Sequence, residues 1–353
     1  MTILGIETSC DETAAAIVVD GYNLLSNVIA SSIDLHVPYG GVVPEIAARS
    51  HIEVIIPVIE KAIDDAKQSW DQIDGIAVTK GAGLGGSLLI GVLTARTLAI
   101  TNNKPLYAIN HVEGHVYANF LTKTSIQSLT LPAAQPEFPM LAIIVSGGHS
   151  QLVLFKDHFK YVILGRTGDD AIGEAFDKVA KMLGLPYPGG PSIATAAKTG
   201  DAFAYKLPTA KMAGKYDFSF SGIKTAVLRL AQSEIGEDYN FSSKMLASRL
   251  SEAQKVNIAA SFQHIAIKTI VDKAYLAFQE FHPASVVIAG GVAASTELRR
   301  QLAETIPVKL DYTDPKLCTD NGAMIATLGC FKALHGQPTA DPYNLEIEPS
   351  LSM

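Results

Sequence analysis

Thr2-Ile3-Leu4-Gly5-Ile6-Glu7-Thr8-Ser9-Cys10-Asp11-Glu12-Thr13-Ala14-Ala15-Ala16-Ile17-Val18-Val19 opens the chain and decides how the rest is read. Thr2 to Ile6 is a short apolar run and predicts a buried strand. The polar turn Thr8 to Thr13 separates it from a second strand, Ala14 to Val19. Asp20-Gly21 turns the chain into a third, Leu24 to Ser31. From Pro44 to Asp65, apolar residues recur at helical spacing (Ile46, Val54, Ile55, Val58, Ile59, Ile63), with Pro57 expected to start or kink a second part. A strand follows at Gly75 to Thr79, then a Gly-rich turn at Gly81 to Ser87 and a helix at Leu88 to Thr101. Leu106 to Asn110 predicts a strand and His111 to Phe120 a helix.

The pattern then restarts. Met140 to Val145, Gln151 to Phe155 and Tyr161 to Gly165 are strands, the first followed by Ser146-Gly147-Gly148-His149. Helices are expected at Ala171 to Leu183, near Ile223 to Ile235, and from Ser243 to Glu280. Ser285 to Ala289 is a strand, Gly290-Gly291 a turn, Ala294 to Glu304 a helix, and Asp320 to Leu334 a closing helix. Both halves run strand, turn, strand, strand, helices, strand, Gly-rich turn, helix, which is a repeat of topology. The expectation is an α/β protein of two related domains, residues 1–118 and 119–321, with a closing helix in 322–340 packing back on the first. Such domains hold ligands in a cleft and at strand C-terminal ends. Thr122 to Pro139, polar and Pro-rich, reads as a linker or surface insertion.

Composition narrows the class. A chain of 353 residues with 48% hydrophobic and 18% charged residues is not disordered. A net charge of −7 argues against a protein that grips nucleic acid by phosphate contacts alone. One span departs from that balance: Lys198, Lys206, Lys211, Lys215, Lys224 and Arg229 face only Asp201 and Asp217. Cys10, Cys318 and Cys330 are odd in number and far apart, which reads as free thiols in a reducing compartment. Glu7, Asp11 and Glu12 interrupt the first apolar run, so it is no signal peptide. The longest apolar stretch, Leu88 to Ile100, is short for a membrane span and carries Arg96. A cytoplasmic protein with no membrane partner is expected.

Several short motifs offer chemistry. The turn Glu7 to Thr13 sets hydroxyls and N–H groups at a strand end, where phosphate binds. Asp11 and Glu12 within it are a carboxylate pair for a cation or a proton. An ordinary polar hairpin fits the same residues. Gly81-Ala82-Gly83-Leu84-Gly85-Gly86-Ser87 lies between strand and helix but ends in no Gly-Lys-Ser/Thr, so it is not a Walker A loop. Either an anion at the helix start or close helix–sheet packing explains it. In His111-Val112-Glu113-Gly114-His115 the two imidazoles share one helix face. Glu113 lies about 200° round the helix from His111. That is the wrong side for the water-activating Glu of a zincin peptidase. Two His need a distant third ligand. Asp320, in Cys318-Thr319-Asp320-Asn321, reads either as that ligand or as part of a helix N-cap. Asp177, in Gly173-Glu174-Ala175-Phe176-Asp177-Lys178, is placed to take a ribose hydroxyl pair, although such a cluster is ordinarily a solvated face. Gly189-Gly190-Pro191 is a further place where backbone can approach a ligand.

In this order the motifs resemble the family of tRNA N6-adenosine threonylcarbamoyltransferases, bacterial type, long misnamed O-sialoglycoprotein endopeptidases. The likeness spans residues 2 to 335 and adds Gly41-Val42-Val43-Pro44-Glu45, Tyr187-Pro188-Gly189-Gly190-Pro191 and Phe218-Ser219-Phe220-Ser221-Gly222 to the motifs above. It implies the actin/Hsp70/sugar-kinase fold, two ribonuclease-H-like domains flanking a nucleotide cleft. It implies one divalent metal, Fe2+ ahead of Zn2+, on His111, His115 and Asp320. It implies that Ile144, Val145, Ser146, Gly147, Gly148, Asp177, Gly190 and Ser295 hold the adenylate of threonylcarbamoyl-AMP. Ser295 stands where the family usually has Asn, and Ser150 where Thr is common.

The implied reaction transfers threonylcarbamoyl to N6 of adenosine 37 in tRNAs reading ANN codons, with release of AMP. N6 must lose a proton, and Asp11, then Glu12, are the candidate bases. The implied partners are tRNA, a paralogous subunit of the same fold and a P-loop ATPase. The rival readings are an actin-fold ATPase or sugar kinase, a metallopeptidase, and a non-catalytic nucleotide-binding scaffold.

Overall fold

A computed structural model describes residues 1–353, which form two compact units: 1–136 with 311–353, and 137–310. Residues 119–136 and 311–321 thus group with the N-terminal unit rather than with the second.

In the first unit, β1 (Thr2–Glu7), β2 (Glu12–Val19) and β3 (Asn23–Ser31) form an antiparallel meander. A short α1 (Ile33–His36) leads into α2 (Pro44–Asp65). Pro57 lies inside one continuous α2 and does not divide it. Its position on the exposed face leaves the carbonyl freed one turn earlier to solvent. β4 (Gly75–Gly81) pairs parallel with β1, α3 (Gly85–Thr101) crosses over, and β5 (Leu106–Asn110) pairs parallel with β4. After α4 (His111–Tyr117), β6 (Lys123–Thr124) adds a parallel edge to β3, giving the order β5-β4-β1-β2-β3-β6. The 122–139 stretch expected as a linker is therefore partly sheet. It is also tied down: Thr130 N–H donates to Asp314, and Lys316 donates to the Ser128 carbonyl.

The second unit repeats the plan. β7 (Met140–Val145), β8 (Ser150–Asp157) and β9 (Lys160–Arg166) form a second meander. Its helices are α5 (Ile172–Leu183), α6 (Gly189–Ala197), α7 (Ser221–Glu234), α8 (Leu246–Arg249) and α9 (Glu252–Phe281). Gly189-Gly190-Pro191 is the first turn of α6, where a proline is tolerated because its missing N–H has no partner there anyway. One expectation is corrected. The helix expected from Ser243 to Glu280 is broken, because Leu250 is extended and Ser251 starts α9 with a capping box to Gln254. β10 (Ser285–Ala289) pairs parallel with β7, α10 (Thr296–Thr305) follows, and β11 (Leu310–Asp311) closes the order β11-β10-β7-β8-β9.

The chain then returns to the first sheet. α11 (Gly322–Leu334) packs on β1, β2, β4 and α4. Gly5 and Gly322 make this approach possible: a Cβ on Gly5 would collide with Ala326 N and Gly322 O, and one on Gly322 would lie 2.5 Å from the Ala15 carbonyl carbon. On the opposite face, Ile55, Ile59, Ile63 and Val92 pack against Leu4, Ile6, Ile17 and Val78. No helix is long and apolar enough to cross a membrane.

A candidate metal centre beside a carboxylate pair

The first unit brings three segments, the ends of β1 and β5 and the front of α11, to one point. Asn110, the last residue of β5, caps α4 by accepting hydrogen bonds from Val112 N (2.9 Å) and Glu113 N (3.2 Å). This starts the helix at His111 and puts His115 one turn on, with ring centroids 4.7 Å apart. At the front of α11 the cap is Asn321, which accepts from Met324 N at 3.1 Å and donates to the Leu317 and Thr319 carbonyls. Asp320 is therefore not the cap, and its carboxylate reaches the imidazoles. Its Oδ1 lies 3.5 Å from His111 Nε2 and 3.3 Å from His115 Nε2.

These donors fit a metal ion. All the ligand atoms lie within 4.8 Å of one another. Donors bound tetrahedrally at about 2.1 Å stand about 3.4 Å apart, close to the two distances to Asp320. Neither ring nitrogen of the buried His115 makes a hydrogen bond, so it has a lone pair to give. Two imidazoles and one carboxylate leave coordination positions open, as catalytic sites require.

Behind His111 stands a second layer. Its Nδ1 lies 3.1 Å from Ser9 Oγ and 3.2 Å from Glu7 Oε2. Glu7, at the end of β1, has no solvent exposure, and its carboxylate also accepts from Ser9 N and Thr79 Oγ1. Burial raises the Glu7 carboxyl, but the adjoining His111 more than offsets this and holds it below its ordinary value. Burial likewise opposes a proton on His111, yet Asp320 and Glu7 overcome it and lift the imidazole to about 9. The pocket favours positive charge. Sequence reasoning missed Glu7 as a functional residue, because a Glu closing an apolar run looks like a strand end.

Asp11 lies in the turn between β1 and β2 and Glu12 opens β2; the turn's carbonyls are held from three directions. Leu84 N donates to Ser9 O at 2.7 Å. His51 Nε2 (3.0 Å) and Ser87 Oγ (3.2 Å) meet Cys10 O. Ser32 N (3.0 Å) and Oγ (2.9 Å) donate to Asp11 O. Thr13 Oγ1 bonds His51 Nδ1 at 2.7 Å, which leaves Nε2 as the donor to Cys10. Glu12 is pushed up to about 9, by burial first and then by Asp320 and Asp11. Burial and the same carboxylates raise the Cys10 thiol too, so it is no reactive thiolate. The Gly81 to Ser87 turn and the helix after it pack closely here: Gly83 of the turn presses on Ser9, and Gly91 of α3 on Thr8. Glu113 is buried, raised by desolvation and partly offset by Lys332, and its Oε1 makes no hydrogen bond.

In the second unit, α5 gathers two of the expected nucleotide loops. Gly173, in its first turn, packs against Gly147. One turn further, Asp177 Oδ1 accepts from Gly189 N at 2.7 Å, and burial raises its carboxyl. Gly290, with φ +90°, lies against the Val145 carbonyl and Ser146. Ile144 and Val145 are the buried end of β7. Ser146 Oγ accepts from His149 N at 3.1 Å. A Cβ on Gly147, Gly148 or Gly190 would meet nothing within 4 Å, so these backbones border open space. Ser295 caps α10 through Leu298 N at 3.4 Å and keeps its hydroxyl proton free to donate.

The model of the tRNA N6-adenosine threonylcarbamoyltransferase family matches residues 23–327. The enzyme of that name from Thermomicrobium roseum is 47% identical over 343 residues, covering 95% of this chain and 93% of its own. The one from Dehalococcoides mccartyi is 46% identical, covering 100% and 99%. Among solved structures, component A of the Acidaminococcus fermentans (R)-2-hydroxyglutaryl-CoA dehydratase superposes with a TM-score of 0.50 at 14% identity, covering 95% of this chain and 99% of its own. Full-length HypF gives 0.55 at 12% identity, covering 94% and 46%. At such identities the likeness shows the fold alone, that of the actin/Hsp70/sugar-kinase class. The chain belongs to the tRNA N6-adenosine threonylcarbamoyltransferase family.

Proposed function

We propose that this chain transfers the threonylcarbamoyl group of threonylcarbamoyl-AMP to N6 of adenosine 37 in tRNAs reading ANN codons and releases AMP. The observation that carries the reading is the convergence of His111, His115 and Asp320 in a member of this family. The proposed ion is Fe2+, with Zn2+ the other ion suited to two imidazoles and a carboxylate. Bound there, it supplies Lewis-acid polarisation of an oxygen of the substrate.

The rest is the work of the chain. Glu7 and Ser9 fix the His111 ring so that Nε2 faces Asp320. The loops at Ile144 to Gly148, Asp177, Gly190 and Ser295 hold the adenylate, with Asp177 toward the ribose. N6 attacks the carbamoyl carbon, a C–N bond forms, the C–O bond to the phosphate breaks, and AMP leaves with the electron pair. Asp11 takes the N6 proton. Glu12, protonated at neutral pH, donates to Asp11 and keeps the pair from carrying two charges. Ser32 holds the Asp11 carbonyl, and His51 and Ser87 hold the Cys10 carbonyl before it, while this happens.

The proposed partners are tRNA, a paralogous subunit of the same fold and a P-loop ATPase, in the cytoplasm. A separate enzyme supplies threonylcarbamoyl-AMP from threonine, bicarbonate and ATP. Nucleoside mass spectrometry of unmodified tRNA incubated with the full set tests the reading. Threonylcarbamoyl-adenosine is expected with the intact chain and not with H111A/H115A. D11A is expected to lose product while binding nucleotide normally. Failure of the intact chain, with a known family member active in parallel, would reject the proposal.

A further inference from the structure

The 23 residues between α6 and α7, 198–220, carry no helix or strand. They are nevertheless fastened along α9. Asp201 N donates to Asn257 Oδ1 at 2.9 Å, and Tyr205 N to Ser261 Oγ at 3.2 Å. The Phe203 ring meets His264 with centroids 4.9 Å apart. Asn257, Ser261 and His264 are one face of the helix. At its far end Lys215 pairs with Glu280, and Lys273 donates to the Lys215 carbonyl at 2.6 Å. The loop thus runs the length of α9, with Lys206 and Lys211 between its two anchorages.

Charge along this loop is sorted. Asp201 is spent on the Phe203 N–H and Asp217 on the Arg166 N–H. Lys215 has Glu280. Lys198, Lys206 and Lys211 are exposed and enter no ion pair. Phe203 is 79% exposed, although its backbone is fixed by the Asp201 carboxylate and its ring rests against His264. A protein of net charge −7 thus displays three unpaired ammonium groups and one anchored aromatic face in a single loop. That pairing of cations with a stacking platform is how proteins hold single-stranded nucleic acid: cations follow the backbone, and the ring takes a base. A protein partner fits less well, since Lys is depleted at the core of such interfaces.

We infer that the 198–215 loop is a contact surface for unpaired RNA, with Phe203 stacking on a base and Lys198, Lys206 and Lys211 on the phosphates. This rests on tRNA being the substrate and names the loop that grips its single-stranded part.

The test measures affinity of the full-length protein, with its partner proteins, for an unmodified tRNA reading an ANN codon, over a range of salt. K206E/K211E is expected to weaken binding at least tenfold and to flatten the salt dependence by about 0.7 in log–log slope per lysine. F203A should lower affinity roughly five- to hundredfold with the slope unchanged. K206R/K211R should bind as the intact chain does. In turnover, both weakened variants should raise KM for tRNA, leave kcat unchanged, and bind AMP normally, which excludes misfolding. Unchanged affinity and slope in K206E/K211E and F203A, with the intact chain still modifying tRNA, would overturn this inference alone. An intact chain that neither binds nor modifies tRNA would overturn it along with the proposed function. Loss of a partner protein rather than of tRNA on F203A would make the loop a protein interface and also overturn it.

Discussion

Glu7, fully buried at the end of β1, accepts the Nδ1 edge of His111 at 3.2 Å, while Nε2 of the same ring faces Asp320 at 3.5 Å. A carboxylate behind an imidazole fixes its tautomer and strengthens it as a ligand. E7Q keeps the shape but can present an N–H to Nδ1, which favours the tautomer with the proton on Nε2, the nitrogen proposed to bind the metal. Metal affinity should fall roughly ten- to hundredfold, read by competition with a chelator. Activity should return with excess ion. Unchanged affinity would make Glu7 a packing residue only.

Glu12 sets a pH dependence whose sign can be stated. Its carboxyl is raised from 4.5 to about 9 in the folded chain. The folded state therefore binds the extra proton between those values, and stability is lost as pH rises through that window. E12Q removes the penalty. In metal-free protein at pH 7 it should raise unfolding free energy by roughly 1–3 kcal/mol, and by almost nothing at pH 4. Thermal unfolding at the two pH values decides it. A variant no more stable at pH 7 than the parent would show that Glu12 folds ionised.

Two glycines allow a paired test of packing against ligand access. A Cβ on Gly5 collides with the α11 backbone, so G5A should cost about 1–3 kcal/mol or more by overpacking. Because α11 carries Asp320 at its front, metal affinity should fall as well. G147A adds a Cβ into open space. It should leave the unfolding temperature alone and weaken nucleotide binding. Equal effects of both on stability would contradict the contrast.

Much of this was legible because its signals are local. Apolar runs placed β5, β7 and β10 to the residue, and α2 likewise, from period alone. His111 and His115 announce themselves by i, i+4 spacing. Asp320 does not: only tertiary structure separates it from its capping neighbour Asn321, and the family resemblance supplied it beforehand. Glu7, His51 and Ser32 were illegible for the same reason, since their partners lie tens of residues away. The Gly189 start of α6 was hidden by a Gly-Gly-Pro that looks like a loop. The last residues offered no pattern at all, and yet they are tied down along their length.

Arg96 is what ties them. From α3 its Nε donates to Pro342 O at 2.6 Å, and its Nη groups donate to Tyr343 O at 2.5 Å and Leu345 O at 3.3 Å. Beyond this clasp Glu348 N donates to Lys80 O at 2.7 Å, and Glu348 pairs with Lys80. Ser352 O accepts from the side chain of Asn110, the cap of the helix that carries His111 and His115. A guanidinium serves three carbonyls at once because its donors are fixed in a planar fork, which an ammonium cannot imitate. R96K should therefore keep the charge and lose the clasp. Limited proteolysis is expected to trim residues after about 340 in R96K severalfold faster than in the parent, with the global unfolding temperature little changed. If trimming is no faster, Lys80 and the backbone hydrogen bonds hold the tail without Arg96. If the tail frees and metal affinity drops with it, the Asn110–Ser352 contact steadies the start of α4.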